Sequence, residues 1–261
     1  MWKKQKSNYE FKDVNDELLL RYSRQIMLPE FDYDGQQSVA DARVLVIGVG
    51  GLGSPAAMYL AAAGVGNLVL VDDDVVELSN LQRQIVHRES TVGQSKVASA
   101  EQTLSDINPH CQVTAINERL DKAALDRQIQ LADIVLDCTD NFSSRYLTNR
   151  LCIRAKTPLV SAAAIRWEGQ LMVIDPRDEQ APCYECLYGE GQEQNLNCSE
   201  TGIMSPVVGM MGTWQALEAI KVLSGAGQPL TGKLSVFDGL TGQWRQLKLP
   251  RNPKCTACGQ K

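Results

Sequence analysis

The 261-residue chain has no surplus of positive charge: 26 Lys and Arg stand against 31 Asp and Glu, a net charge of −5. Nonspecific attraction to nucleic acid or to an anionic membrane is therefore not expected. The opening MWKKQKSNYEFKDVNDE has charges at intervals and no apolar core of signal-peptide length, so the chain reads as intracellular, with a cytoplasmic location expected. A membrane-spanning run is missing as well. Val44 to Val71 carries no charge, but its glycines and Pro55 break it into strand-length pieces. Internal repeats, low-complexity tracts and a Pro/Ser-rich linker are all absent, which argues for one domain. Histidine occurs only at His87 and His110, and both read as surface or hydrogen-bonded residues rather than ligands.

What is present is an ordinary globular composition, 44% apolar and 22% charged, with length enough for a sizeable core. Apolar spacing with acids at the start predicts a helix over Asp16–Ile26. Val44–Ile47, Leu52–Ala63 and Leu68–Val71 then read as strand, helix, strand. Lys96–Ile107 has helical spacing, Gln112–Ile116 alternates like a strand, and Ile134–Leu136 is a buried strand followed by a helix to about Ala155. Pro158–Ala163 and Gln170–Ile174 continue the strands. From Asp175 to about Pro206 a long loop is expected, then a helix over Val207–Leu223 and a strand pair at Lys233–Asp238 and Gln243–Leu249. The alternation predicts an α/β, Rossmann-like, mostly parallel sheet with helices on both faces, extended by C-terminal antiparallel strands.

Gly48-Val49-Gly50-Gly51-Leu52-Gly53 fits G-x-G-x-x-G directly after a strand and at a helix start. There glycines let the backbone approach phosphates while helix N–H groups face the anion. Asp72 ends the next strand, where an acid can hydrogen-bond ribose hydroxyls. The motif specifies a nucleotide, not which one.

Other residues bear on the chemistry. Leu78-Ser79-Asn80-Leu81-Gln82-Arg83-Gln84 places an amide and a guanidinium beyond the ribose acid, and Lys96 follows at the next helix start. Arg24 lies in the N-terminal helix, and Asp140 just past the C-terminal end of a strand. Hydride transfer needs no such set. Three cations and a carboxylate able to hold Mg2+ are what phosphoryl or nucleotidyl transfer requires. Taken singly, each of these cations reads more readily as a solvated surface charge.

The cysteines carry a second signal. Cys183-Tyr184-Glu185-Cys186 and Cys255-Thr256-Ala257-Cys258 are two C-x-x-C pairs, matching a four-thiolate zinc site that would clip the long loop to the C-terminal segment. All ligands being thiolates, no position stays open for water and the role is structural; a thioredoxin-like redox pair is the competing reading. Cys111, Cys138 and Cys152 fall in expected strand or helix positions and read as buried small hydrophobes. Cys198 lies in the polar run Asn195–Glu200, where an exposed thiol could react.

Taken together, R-Y-S-R-Q at 21–25, G-V-G-G-L-G at 48–53, L-S-N-L-Q-R-Q at 78–84, G-Q-S-K at 93–96, D-C-T-D-N at 137–141 and the two C-x-x-C pairs closely resemble the MoeB/ThiF family. These are bacterial relatives of ubiquitin-activating enzymes, and the resemblance runs from about Glu17 to Gln260. It implies one adenylation domain over 1–261: a helical arm about 1–42, a nucleotide-binding core about 43–165, and a carrier-binding and zinc part about 166–261. It implies ATP-dependent adenylation of the C-terminal glycine of a ubiquitin-like sulfur-carrier protein, with release of pyrophosphate. A separate sulfur donor, of cysteine desulfurase or rhodanese type, would follow, and neither nucleic acid nor membrane is a partner.

By motif correspondence Gly48, Gly50, Gly51 and Gly53 would hold the phosphates and Asp72 the ribose. Ser79, Asn80, Leu81, Gln82 and Arg83 would complete the ATP site, with Asn80, Arg83 and Lys96 on phosphate oxygens. Asp140, beside Asn141, would bind Mg2+, and Cys183, Cys186, Cys255 and Cys258 structural Zn2+. Arg24 resembles the family arginine that reaches the ATP of the other subunit, so a homodimer is implied. The catalytic set is Arg24, Arg83, Lys96 and Asp140. Ser161–Gln170 looks like the MoeB form, whose carrier is the small subunit of molybdopterin synthase. Asn197-Cys198, Pro206–Gly209 and Phe237-Asp238-Gly239 look more like ThiF, which serves the thiazole of thiamine and would use Cys198 covalently. The MoeB form is favoured. An NAD-dependent oxidoreductase with structural zinc is the alternative from another class, and a carrier-binding scaffold without activity a third.

Overall fold

The computed structural model describes residues 16–189 and 202–259. Eight strands form one sheet: β1 (Arg43–Ile47), β2 (Asn67–Val71), β3 (Gln112–Ile116), β4 (Ile134–Asp137), β5 (Leu159–Ile165), β6 (Glu168–Ile174), β7 (Lys233–Asp238) and β8 (Gln243–Lys248). Their order is β3-β2-β1-β4-β5-β6-β7-β8. The first five pair in parallel and the last three add antiparallel neighbours, as the alternation of elements predicts.

The helices are α1 (Asp16–Ile26), α2 (Asp32–Ala40), α3 (Gly53–Ala62), α4 (Lys96–Ile107), α5 (Lys122–Leu131), α6 (Phe142–Ala155), α7 (Tyr184–Leu187) and α8 (Ser205–Ser224), with short 3-10 turns at Leu78–Asn80 and Glu89–Thr91. Successive side chains of a strand point to opposite faces. In β1, Val44 and Val46 therefore join a core with α2, α3, α4 and α8, while Leu45 and Ile47 join a second core with α5 and α6. Burial on both faces is why β1, β2 and β4 are uninterrupted apolar runs.

Three helices fall outside the sequence expectation. Helix α5 buries only Leu125 and Ile129, a stripe one turn long. Helix α2 has Val39 as a lone apolar anchor and buries Gln36 instead, whose amide donates to the Ala63 carbonyl at 3.0 Å. The segment expected as loop from Asp175 to Pro206 contains α7, and α8 begins two residues before Val207. At Gly212 a Cβ would lie 2.1 Å from the Leu52 carbonyl oxygen, so only glycine lets α8 cross the start of α3 at this distance. Among the described residues, no helix is long and apolar enough to cross a membrane.

Candidate functional site: a cleft at the sheet's switch point

The crossovers after β1 and β2 use α3 and α4 on one face, and those after β3 and β4 use α5 and α6 on the other. The reversal opens a crevice beyond the C-terminal ends of β1 and β4, the place where open α/β sheets bind ligands. A cleft of about 690 Å³ lies there.

The glycine loop forms one wall. Gly48 has φ +90, and a Cβ on it would sit 2.9 Å from the Cys138 carbonyl oxygen. A Cβ on Gly53 would meet the Gly48 oxygen at 2.0 Å. The loop is thus folded back on the helix start, against both β1 and β4. Asp72 fixes it from the next strand: its Oδ2 accepts the Val49 N–H at 2.7 Å and its Oδ1 the Asp74 N–H at 2.9 Å. Both oxygens keep a second acceptor site, and Asp72 lines the cleft.

Lys96 is the first residue of α4, where Ser95 caps the helix. Its side chain is 7% exposed and its Nζ donates to Asp74 Oδ2 at 2.7 Å. Since Asp74 is exposed, the ammonium is held at the cleft by a water-facing carboxylate, an arrangement an incoming phosphate can displace or share. Half-buried Arg83 donates to the Ser79 carbonyl at 3.1 Å. Exposed Asp140 lines the same cleft from the turn between β4 and α6. Asn141 caps α6 by accepting the Ser144 N–H at 2.9 Å.

Beneath that turn lies a pair the sequence analysis did not assign. Asp137 is fully buried, and its Oδ1 accepts from Thr139 Oγ1 at 2.7 Å and Thr139 N at 3.1 Å. Arg145, buried and on the cleft wall, donates to the Thr139 carbonyl and, at 3.4 Å, to Ser161 Oγ. Burial, the largest influence, works against the Arg145 charge, but the Asp137 carboxylate together with Tyr184, Tyr188 and Cys138 outweighs it and holds the guanidinium above its usual range. Arg145 thereby braces the backbone immediately before Asp140. The spacing of Arg145 four residues after Asn141 was its only sequence signal.

The structure brings Gly48, Gly50, Gly51, Asp72, Arg83, Lys96, Asp140 and Asn141 onto one cleft. Ser79, Asn80, Leu81, Gln82 and Gly53 are not among the residues that line it. Ser79 and Asn80 lie in the 3-10 turn, where Asn80 Nδ2 donates to Ser79 Oγ at 3.1 Å and Glu77 Oε2 at 3.3 Å; they shape the segment that delivers Arg83. Gly53 acts by close packing. Arg24 is exposed on α1 and outside its own chain's cleft, and Cys198 lies outside the described residues.

Cys111, Cys138 and Cys152 are buried as expected, although Cys111 and Cys138 sit one residue outside β3 and β4. Cys138 faces the cleft, donating its S–H to Gln215 Oε1 at 3.4 Å. Burial, then the Asp137 charge, push its thiol far up, so it stays protonated and is no nucleophile. His87 is buried and hydrogen-bonded, and exposed His110 lies 3.9 Å from Glu17.

The four paired cysteines converge on one point, all sulfur atoms within 4.8 Å of one another. Sγ–Sγ distances are 3.6 Å for Cys183–Cys255, 3.9 Å for Cys183–Cys186 and 3.4 Å for Cys186–Cys258. A tetrahedron with metal–sulfur bonds of about 2.3 Å has edges of about 3.8 Å, so the cluster fits a metal of zinc's preference. The backbone N–H groups of Cys183 and Asn252 each donate to Cys186 Sγ at 3.4 Å, the kind of support that stabilises a thiolate ligand. The sulfurs lie in the α5/α6 core, on the far face of the sheet from α8.

The sequence pattern described as the ThiF family matches residues 22–257. The chain is 52% identical over 248 residues to the molybdopterin-synthase adenylyltransferase of Escherichia coli K12, covering 95% of this chain and 99% of that protein. It is 51% identical over 246 residues to the sulfur carrier protein ThiS adenylyltransferase of the same organism, covering 94% and 97%. Among solved structures, E. coli MccB with ATP superposes with a TM-score of 0.81 at 26% identity, over 92% of this chain and 74% of that one. With the glycine loop, the flanking cations and the paired cysteines in place, this chain belongs to the ThiF family.

Proposed function

We propose that this chain uses ATP and Mg2+ to adenylate the C-terminal glycine carboxylate of a ubiquitin-like sulfur-carrier protein, the small subunit of molybdopterin synthase being the favoured carrier. The observation that carries the reading is the cleft itself, lined together by a glycine loop, Arg83, Lys96 and the Asp140 carboxylate. Near-full-length similarity to adenylyltransferases sets the dehydrogenase alternative aside.

The chemistry follows from the residues. A carrier carboxylate is ionised at neutral pH and needs no general base. The barrier is the meeting of two anions and the dispersal of charge at the α-phosphorus. Loop N–H groups, Arg83 and Lys96 would meet that charge, and preorganised donors of this kind stabilise a transition state without reorganising. Asp140 would hold Mg2+, which when bound neutralises phosphate charge; an exposed carboxylate braced from below by Arg145 suits that task. The cysteine cluster would hold zinc as a structural clip.

Arg24, outside its own cleft, fits a role in the cleft of a second copy. Leu20, Met27 and Leu28, which are 77%, 70% and 53% exposed beside it, supply apolar surface for such a homodimer. Carrier-dependent exchange of labelled pyrophosphate into ATP, measured with molybdopterin-synthase and thiazole-pathway carriers in parallel, tests the function. Exchange with the thiazole-pathway carrier alone would replace the favoured carrier, a reading the 51% similarity to the ThiS adenylyltransferase also supports.

A further inference from the structure

His87 belongs to none of the expected site residues, yet it is tied to the glycine loop. Its ring is 4% exposed, with Nδ1 3.0 Å from Ser99 Oγ and Nε2 3.1 Å from the carbonyl oxygen of Val49. A carbonyl only accepts, so Nε2 carries the hydrogen; burial disfavours a second proton on the ring, which leaves Nδ1 to accept from the Ser99 hydroxyl. With that proton committed, the 2.8 Å contact between Ser99 and Thr91 hydroxyls has Thr91 as donor, its proton shared with the Arg88 carbonyl oxygen at 2.8 Å.

Val49 is held at both ends of its backbone. Its N–H goes to Asp72 and its C=O to His87. In a planar trans peptide the C=O and the following N–H point in opposite directions. Anchoring the Val49 oxygen in the interior therefore turns the Gly50 N–H outward, and Gly50 lines the cleft.

We infer that His87 is a positioning residue for the nucleotide: as an Nε2–H donor it fixes the Val49–Gly50 peptide plane, presenting the Gly50 N–H to phosphate oxygens. Through Ser99 it also sets the loop in register with α4, which begins at Lys96. The inference rests on ATP being the ligand of this cleft. Protonation would turn Nδ1 into a donor facing the Ser99 hydroxyl and add a positive charge near Lys96 and Arg88, with Asp72 the opposing charge.

The test uses the full-length, zinc-replete protein and Mg·ATP binding by calorimetry, which needs no carrier. His87→Gln keeps an amide donor near Nε2, whereas His87→Asn reaches only the Nδ1 partner. We expect His87→Asn to weaken Mg·ATP about 5- to 10-fold and His87→Gln to stay within about 2-fold of the parent, the difference of one hydrogen bond. Equal affinities in both variants and parent, or equal losses in both variants, would overturn the inference. Nitrogen-15 spectra of the parent need no variant: a proton on Nε2 at pH 7.5 supports it, and an Nδ1–H tautomer with Nε2 unprotonated overturns it. A parent that binds ATP but exchanges no pyrophosphate with any carrier sinks the adenylation reading and leaves the His87 comparison standing.

Discussion

Glu185, inside the first C-x-x-C pair, accepts a hydrogen bond at 3.1 Å from Thr256, inside the second. The carboxylate is 1% exposed and also accepts from Asn149 Nδ2 at 3.0 Å and Arg150 Nη2 at 2.8 Å. Both cysteine pairs are therefore tied to each other and to α6 by a contact that does not involve sulfur. The four thiols need not find one another unaided, because a buried acid already aligns the two segments that carry them.

Glu185→Ala is expected to destabilise the protein by about 2 kcal/mol, since it removes charge-assisted bonds and strands the buried Asn149 amide. The denaturation midpoint reads this, and metal content by mass spectrometry should remain near the parent's. Unchanged stability would show that Arg150 and Asn149 repartner without cost.

Purified protein should contain about one zinc per chain, because four converged thiolates form a closed tetrahedral site. Cys186→Ser should lose the metal and melt at a lower temperature while still binding Mg·ATP. Metal-free parent protein with full thermal stability would contradict the clip.

Lys96→Ala, Asp140→Ala and Arg24→Ala should each lower carrier-dependent pyrophosphate exchange by roughly 100-fold, the usual cost of one preorganised stabilising group. Mixing inactive Arg24→Ala with inactive Asp140→Ala should restore part of the activity, since each hybrid dimer regains one intact site. Full activity in all three single variants would leave them as surface charges.

Cys198→Ser should keep exchange near the parent level, because the carrier carboxylate, not a thiol, is the nucleophile of the first step. It should also still yield carrier thiocarboxylate with a supplied sulfur donor. Normal exchange without thiocarboxylate, together with a reducible carrier–enzyme adduct in the parent, would move the assignment to the thiazole pathway.

Stability should fall in mild acid by way of His87. Burial holds its pKa below the usual histidine value; the Val49 bond opposes this, Lys96 and Arg88 add to it and Asp72 opposes it. The unfolded chain then takes up the proton first, so the contribution is whole above about pH 6.5 and is lost as pH falls below it toward the folded value. Melting temperatures at pH 7.5 and 5.5 should differ more in the parent than in His87→Gln, which lacks the titrating group. Equal differences would assign acid sensitivity elsewhere.

The sequence by itself determined the elements whose pattern is locally complete. Lys96–Ile107 and Gln112–Ile116 are helix and strand as read, because capping and periodicity reside within those residues. The uncharged run from Val44 to Val71 resolves into β1, α3 and β2, since its glycines punctuate it. Thiolate spacing marked the metal cluster, and the order of motifs marked the family. Neighbour-dependent features could not be read this way. Helix α5 owes its formation to two residues docking on β1, and α2 buries a glutamine whose partner, Ala63, lies at the end of another helix. Arg145 became a site residue only when β4 and α6 set it under Thr139. His87 looked like any histidine until folding placed Val49 on one ring nitrogen and Ser99 on the other. Periodicity and spacing are properties of the chain; a hydrogen bond between residues far apart in sequence exists only after the sheet has brought them together.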